Sequence, residues 1–218
     1  MKIELIISND GSHTLYLPEM DETYHSRHGA VQEALHVFIK NGLIHKSRDR
    51  KNINILEIGW GTGLNSLLTY KSAKQLGLNV KYTGIEKYPV PLEVLEQLNY
   101  KDWNEDDYLE KVYRSEWEKF VPIFEGFDLR KIANDVRSLE FDQEFDLVYF
   151  DAFGPRAQCE MWEKDVFDII FSSMRSGGVF VTYCAKGQVR RDLQESGLII
   201  ERLPGPPGKR EMLRGIKP

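Results

Sequence analysis

A chain of 218 residues that is 41% hydrophobic and 29% charged belongs with soluble globular proteins, being too polar for the membrane or fibrous classes and too apolar for a disordered one. Its two cysteines, Cys159 and Cys184, lack CxxC or CxxH spacing, and its five histidines lack ligand spacing, so neither a metal site nor a disulfide framework is expected. The net charge of −5 hides an asymmetry: from Lys186 onward there are eight basic and four acidic residues, a surplus of +4 that leaves −9 on the rest, which suits a small basic docking surface or a solvated terminal face.

In chain order, the amino terminus MKIELIISNDGSH has a five-residue apolar run, too short for a signal-peptide core or a membrane span. No membrane contact and a reducing, cytoplasmic setting are therefore expected. Lys2 to Ser8 and Ser12 to Leu17 form a hairpin about Asn9, Asp10 and Gly11. Ala30 to Leu43 has helical spacing, with Gly42 as a cap. Residues 1–50 thus read as a hairpin-and-helix extension, and 51–218 as the main domain. Ile53 to Ile58 is a strand, a glycine cluster follows, and Leu64 to Leu76 is a helix. Val80 to Ile85 is the next strand, Pro91 to Leu98 a short helix, and Lys101 to Lys119 an acidic, aromatic helical insertion. Phe127 to Ile132 and Phe145 to Phe150 are strands, Met161 to Met174 an amphipathic helix, and Val179 to Cys184 another strand. Val189 to Glu195 is helical, and Leu198 to Leu203 with Glu211 to Ile216 makes a closing pair across PGPPGK. Strands alternating with helices predict an α/β fold, a parallel sheet covered on both faces, with a final antiparallel strand.

The segment ILEIGWGTGLN puts Glu57, Gly59, Gly61 and Gly63 between a strand and a helix, where glycines let the backbone turn tightly and approach a ligand. Their GxGxG spacing brings the third glycine one residue early for a dinucleotide fingerprint, and no P-loop lysine follows. A preceding acid with GxGxG is similar to motif I of the class I methyltransferases that use S-adenosylmethionine, whose sheet is Rossmann-like. That resemblance implies cofactor binding by Glu57, near the methionine end, by Gly59, Gly61, Gly63 and Asn65, by Glu86 at the next strand end, and by Asp135 at the adenine. A carboxylate suits the place of Glu86 because its two oxygens accept from a vicinal diol.

The strand Phe145 to Phe150 exits into DAFGP, where the amino-methyltransferases of that class hold an acid or amide followed by an aromatic and a proline. Methyl transfer to nitrogen needs a neutral lone pair in line with the leaving sulfur, so positioning dominates. Asp151 suits the part of orienting group first and base second, and Phe153 offers a face to a nucleobase. Asp151 and Phe153 are the catalytic candidates.

TYHSRHGAVQEALHVFI, EIGWGTGLN, YFDAFGP, EMW, TYCAKGQVRRDLQESG and GPPGKREMLRG together resemble the methyltransferase domain of the MnmC family, which completes 5-methylaminomethyluridine, or its 2-thio form, at the tRNA wobble position. The resemblance spans Tyr24 to Gly215. It implies methylation of the aminomethyl group on the wobble uracil, with the tRNA anticodon stem-loop as partner and Arg190, Arg191, Lys209 and Arg210 as contacts to it. The chain has no second glycine fingerprint for FAD, so a methyltransferase without the family's oxidase domain is expected, and a separate enzyme would supply the amine precursor. The alternatives are a methyl- or aminopropyltransferase for a small-molecule amine, and a non-catalytic module that binds S-adenosylmethionine and RNA.

Overall fold

The structure, a computed structural model, describes residues 2–48, 50–100, 103 and 107–218. Strands β1 (Glu4–Ile7), β2 (His13–Leu17) and β3 (Glu22–Thr23) pair antiparallel in a small sheet. The turn between the first two is held by Asp10, whose Oδ1 accepts from Ser8 Oγ at 2.7 Å and from Ser12 N at 3.1 Å. Helix α1 (Ala30–Ala34) continues without a break as the π-helical segment Leu35–Ile44. Gly42 does not cap it. It lies inside, against the main sheet, where a Cβ would come 3.1 Å from Tyr149 and 3.2 Å from Val181.

The rest of the chain alternates strand and helix: β4 (Asn52–Ile58), α2 (Leu64–Leu76), β5 (Asn79–Ile85), α3 (Leu92–Leu95), α4 (Tyr108–Arg114), β6 (Val121–Phe124), β7 (Phe127–Ile132) and β8 (Phe145–Phe150). After them come α5 (Lys164–Ser173), β9 (Met174–Thr182), α6 (Gly187–Glu195), β10 (Ile199–Pro204) and β11 (Glu211–Ile216). The strand order in the large sheet is β10-β11-β9-β8-β4-β5-β7-β6. From β9 to β7 all neighbours are parallel. The final antiparallel strand is β11, and β6 is a second one at the opposite edge.

Parallel strands are covered on both faces and so carry apolar side chains throughout; all six residues of β8 are buried. Leu147 and Tyr149 enter a core with Leu15, Phe38 and Leu67, while Val148 and Phe150 enter another with Trp162, Phe167 and Phe180. The amino-terminal helix thus shares its core with the sheet. Among the described residues no helix is long and apolar enough to cross a membrane.

Three further sequence readings need correction. The insertion from Lys101 to Lys119 is helical in its described part only as α4, residues 101–102 and 104–106 lying outside the described residues, and β6 follows it. That strand carries Pro122, which is tolerated because β6 is an edge. The helix expected over Met161 to Met174 is a 3-10 turn (Cys159–Trp162) and then α5. Met174 already opens β9, which passes through Gly177, at φ +72°, instead of starting at Val179.

Candidate active site at the strand ends

The carboxyl ends of β4, β5, β7 and β8 open into one cavity of about 290 Å³. Backbone contact between neighbouring exits builds it. A Cβ on Gly59 would stand 2.6 Å from the carbonyl oxygen of Asp151, and the residue has φ +83°, so only glycine lets the β4 exit lie against the β8 exit. Trp60 is buried beneath the turn, over β5, where a Cβ on Gly84 would come 2.3 Å from its ring. Behind it stands Lys131, whose ammonium lies 5.5 Å from the Trp60 ring and 4.8 Å from that of Trp117. Lys131 donates to Val112 O at 2.7 Å, and burial pulls its pKa down to about 8.

The acids at the strand ends differ in what holds them. Glu57, fully buried, accepts from Asn65 Nδ2 and Tyr82 OH, both at 2.8 Å, and burial raises its pKa well above the ordinary range. The same Asn65 amide donates to Asp151 Oδ2 at 2.8 Å. Burial first, and the nearby Glu33 charge second, push the Asp151 carboxyl up to about 7, with Asn65 and Lys209 opposing. Glu86 accepts from Gly61 N at 3.0 Å and Tyr88 N at 2.9 Å, and burial raises it too. Asp135 is instead clasped by Arg137, at 3.1 and 3.0 Å, and touched by Lys87 at 3.1 Å, so Arg137 holds it well below the usual carboxylate range.

Gly59, Gly61, Asn65, Glu86, Asp135, Asp151 and Phe153 all line the cavity; Glu57 and Gly63 are absent from its lining. Phe153 meets Tyr24 edge-on at 5.0 Å between centroids. Its loop is fixed from behind: Trp162 Nε1 donates to Phe153 O at 2.7 Å, and Tyr183 OH to Ala152 O at 2.8 Å. An open groove beside the loop is lined by Arg156, Tyr183, Lys186, Lys209 and Arg210. Within it Arg210 is exposed, whereas Lys209 is taken by an ion pair with Glu33. Arg190 and Arg191 sit on α6, outside both cavities, and Arg191 bonds Gln188 at 2.7 Å. Sequence reasoning missed Glu33, Tyr183 and the loop-holding part of Trp162, none of which carries a local signal.

A profile described as S-adenosyl-L-methionine-dependent methyltransferase matches residues 105–218. The chain belongs to that family. The methyltransferase is 34% identical to the tRNA 5-methylaminomethyl-2-thiouridine biosynthesis bifunctional protein MnmC of Cupriavidus metallidurans, over 96% of this chain and 33% of that one. It is 29% identical to the MnmC of Leptospira interrogans, over 90% and 33%, so the chain spans about one third of the length of these relatives. The crystal structure of MNMC2 from Aquifex aeolicus superposes with a TM-score of 0.78 at 26% identity, covering 100% of this chain and 72% of that one. Spermidine synthase from Thermotoga maritima, with a TM-score of 0.61 at 13% identity over 98% of this chain and 68% of that one, shares the fold.

The site fits S-adenosylmethionine in its donor set and its shape. Two backbone amides fix the Glu86 carboxylate and leave it acceptor capacity for a vicinal diol. Gly61 keeps the cradle open: a Cβ there would fill the space against Tyr24, 3.1 Å away. Ile58, Ile85, Val136 and Met161 give the cavity the apolar walls that a nucleoside requires.

Proposed function

We propose that this methyltransferase N-methylates the aminomethyl group on the wobble uridine of tRNA, giving 5-methylaminomethyluridine or its 2-thio form. The observation that carries the reading is Asp151, a carboxylate at the cavity wall beside a partly exposed aromatic and an open basic groove. The MnmC relatives, named for tRNA 5-methylaminomethyl-2-thiouridine biosynthesis, support the same substrate. Glu86 would hold the ribose of the cofactor, Gly59 and Gly61 would pack beside it, and Glu57 and Asn65 would stand at its methionine end, with Asp135 near the base. Bound there, S-adenosylmethionine supplies a methyl group activated on a sulfonium.

The chain's own contribution is to the amine. An aliphatic ammonium of pKa about 10.4 costs about 4.6 kcal/mol to neutralise at pH 7. Asp151 accepts one N–H of the amine, aims its lone pair and takes up the proton, and a carboxyl pushed up to about 7 is a far better proton acceptor near neutral pH than an ordinary aspartate. Asn65 keeps that carboxylate from turning. Phe153, its loop pinned by Trp162 and Tyr183, offers its face to the uracil, a stack worth roughly 1 to 3 kcal/mol. Arg210, Lys186 and Arg156 flank the groove through which the anticodon backbone would run. Such an enzyme works in the cytoplasm, on tRNA whose wobble uridine already carries the free aminomethyl group.

The test supplies radiolabelled S-adenosylmethionine and tRNA carrying 5-aminomethyluridine to the purified protein. Label recovered in the wobble nucleoside is the expected result. Label transferred instead to spermidine or putrescine would favour the small-amine reading, and cofactor binding without transfer to either would favour a non-catalytic module.

A further inference from the structure

Glu33 and Lys209 form an ion pair that joins α1 to the turn before β11. Glu33 is 8% exposed. Its Oε1 meets Lys209 Nζ, and its Oε2 accepts from Ser26 N at 3.2 Å. The Lys209 ammonium lies 3.7 Å from the centre of the Tyr183 ring, and Tyr183 in turn donates to Ala152 O, one residue beyond Asp151. Ser26 follows the segment that carries Tyr24 against Phe153. One buried carboxylate therefore ties together the Tyr24 loop, the carboxyl-terminal turn and the exit of β8, the three walls on the substrate side of Asp151.

Such an arrangement is expensive unless it is used. A pair with one buried and one half-buried partner contributes little net stability, because desolvation offsets much of the attraction. It does place one negative and one positive charge beside a third titrating group. The groups that face Asp151 are Glu33 from α1, Glu57 from β4, Asn65 from α2, Tyr183 after β9 and Lys209 before β11. Burial raises the Glu57 carboxyl, and the two charges that bear on Asp151 with opposite sign are Glu33 and Lys209.

We propose that Glu33 and Lys209 are positioning residues for Asp151, clamping its loop through Tyr183 and Ser26 and setting the balance of charge that its carboxylate meets. The inference rests on Asp151 being the group that receives the amine proton. It also removes Lys209 from the set of phosphate contacts.

The two partners act on Asp151 with opposite sign, and this separates positioning from plain support. Removing the Glu33 charge makes the carboxyl easier to ionise; removing the Lys209 charge makes it harder. The experiment follows the Asp151 carboxyl by ¹³C NMR on aspartate-labelled protein without tRNA, the resonance being assigned by its loss in Asp151→Asn. Glu33→Gln lowers the midpoint by about half a pH unit or more and Lys209→Met raises it by a similar amount, while Lys209→Arg leaves it in place. In turnover with aminomethyluridine tRNA, the acid limb of kcat/KM moves the same way in each variant, and kcat falls about tenfold with cofactor affinity kept within about twofold. Each variant's sign decides by itself, so one that fails to fold leaves the other as the test. Midpoints that stay put, or that move together, overturn the proposal. Correct midpoint shifts in a protein that transfers nothing to tRNA would overturn the substrate reading and leave the clamp standing.

Discussion

Replacing Asp151 by asparagine separates what the site does for catalysis from what it does to the fold. The change is nearly isosteric, and the amide oxygen still accepts from Asn65 Nδ2, which now lies 2.8 Å from the carboxylate. A carboxyl raised from 3.8 to about 7 binds its proton more tightly folded than unfolded. It therefore leaves the fold unburdened at low pH and destabilises it progressively as pH rises through that window. The full shift corresponds to about 4 kcal/mol; Asp151 is partly exposed to the cavity, and screening there reduces the figure to roughly 2 kcal/mol. Asp151→Asn is thus expected to raise stability by roughly 2 kcal/mol at pH 8, a gain of about 4 to 8 °C in Tm for a chain of this size, and by less than half as much at pH 5. The same variant loses about a hundredfold or more in kcat. Urea denaturation at the two pH values and single-turnover transfer measure the two effects. A variant that is inactive but no more stable at pH 8 than the parent would refute the burial argument, and one that is stabilised but fully active would refute the catalytic one.

Other consequences are as direct. Glu86→Ala removes the carboxylate held by Gly61 N and Tyr88 N and weakens cofactor binding by roughly tenfold to a hundredfold in calorimetry; unchanged affinity would remove Glu86 from the site. Gly84→Ala drives a Cβ to 2.3 Å from the Trp60 ring and costs about 1 to 3 kcal/mol by overpacking, seen as a lower urea midpoint. Arg210, exposed in the groove, contributes one phosphate contact at most, so Arg210→Ala lowers the salt slope of tRNA binding by about 0.7 to 0.9, and a slope left unchanged takes this residue out of the interface.

Much of the site is legible in the sequence because its chemistry is local. A strand, a tight turn and a helix start are contiguous, so Gly59, Gly61 and Gly63 announce a cradle, and acids at successive strand ends, Glu86 and Asp151, are brought together by parallel pairing alone. What the sequence hides is partnership. Lys209 shows as a positive charge in a basic tail, and nothing near it indicates that Glu33, on a helix at the other end of the chain, neutralises it. Tyr183 and Trp162 look like core aromatics because their apolar faces are what periodicity registers, while the polar atoms that hold the Phe153 loop leave no pattern. The elements failed for similar reasons. An apolar run cannot mark where Met174 passes from helix to strand, and Pro122 disguises an edge strand.

The amide of Asn65 has a further consequence. It gives one hydrogen to the acid at the end of β4 and the other to the acid after β8, two strands that are neighbours in the sheet but far apart in the chain. The place where a cofactor would be gripped and the place where an amine would be deprotonated therefore share a single hinge pin. Any change that tilts this side chain is therefore felt by both carboxylates at once.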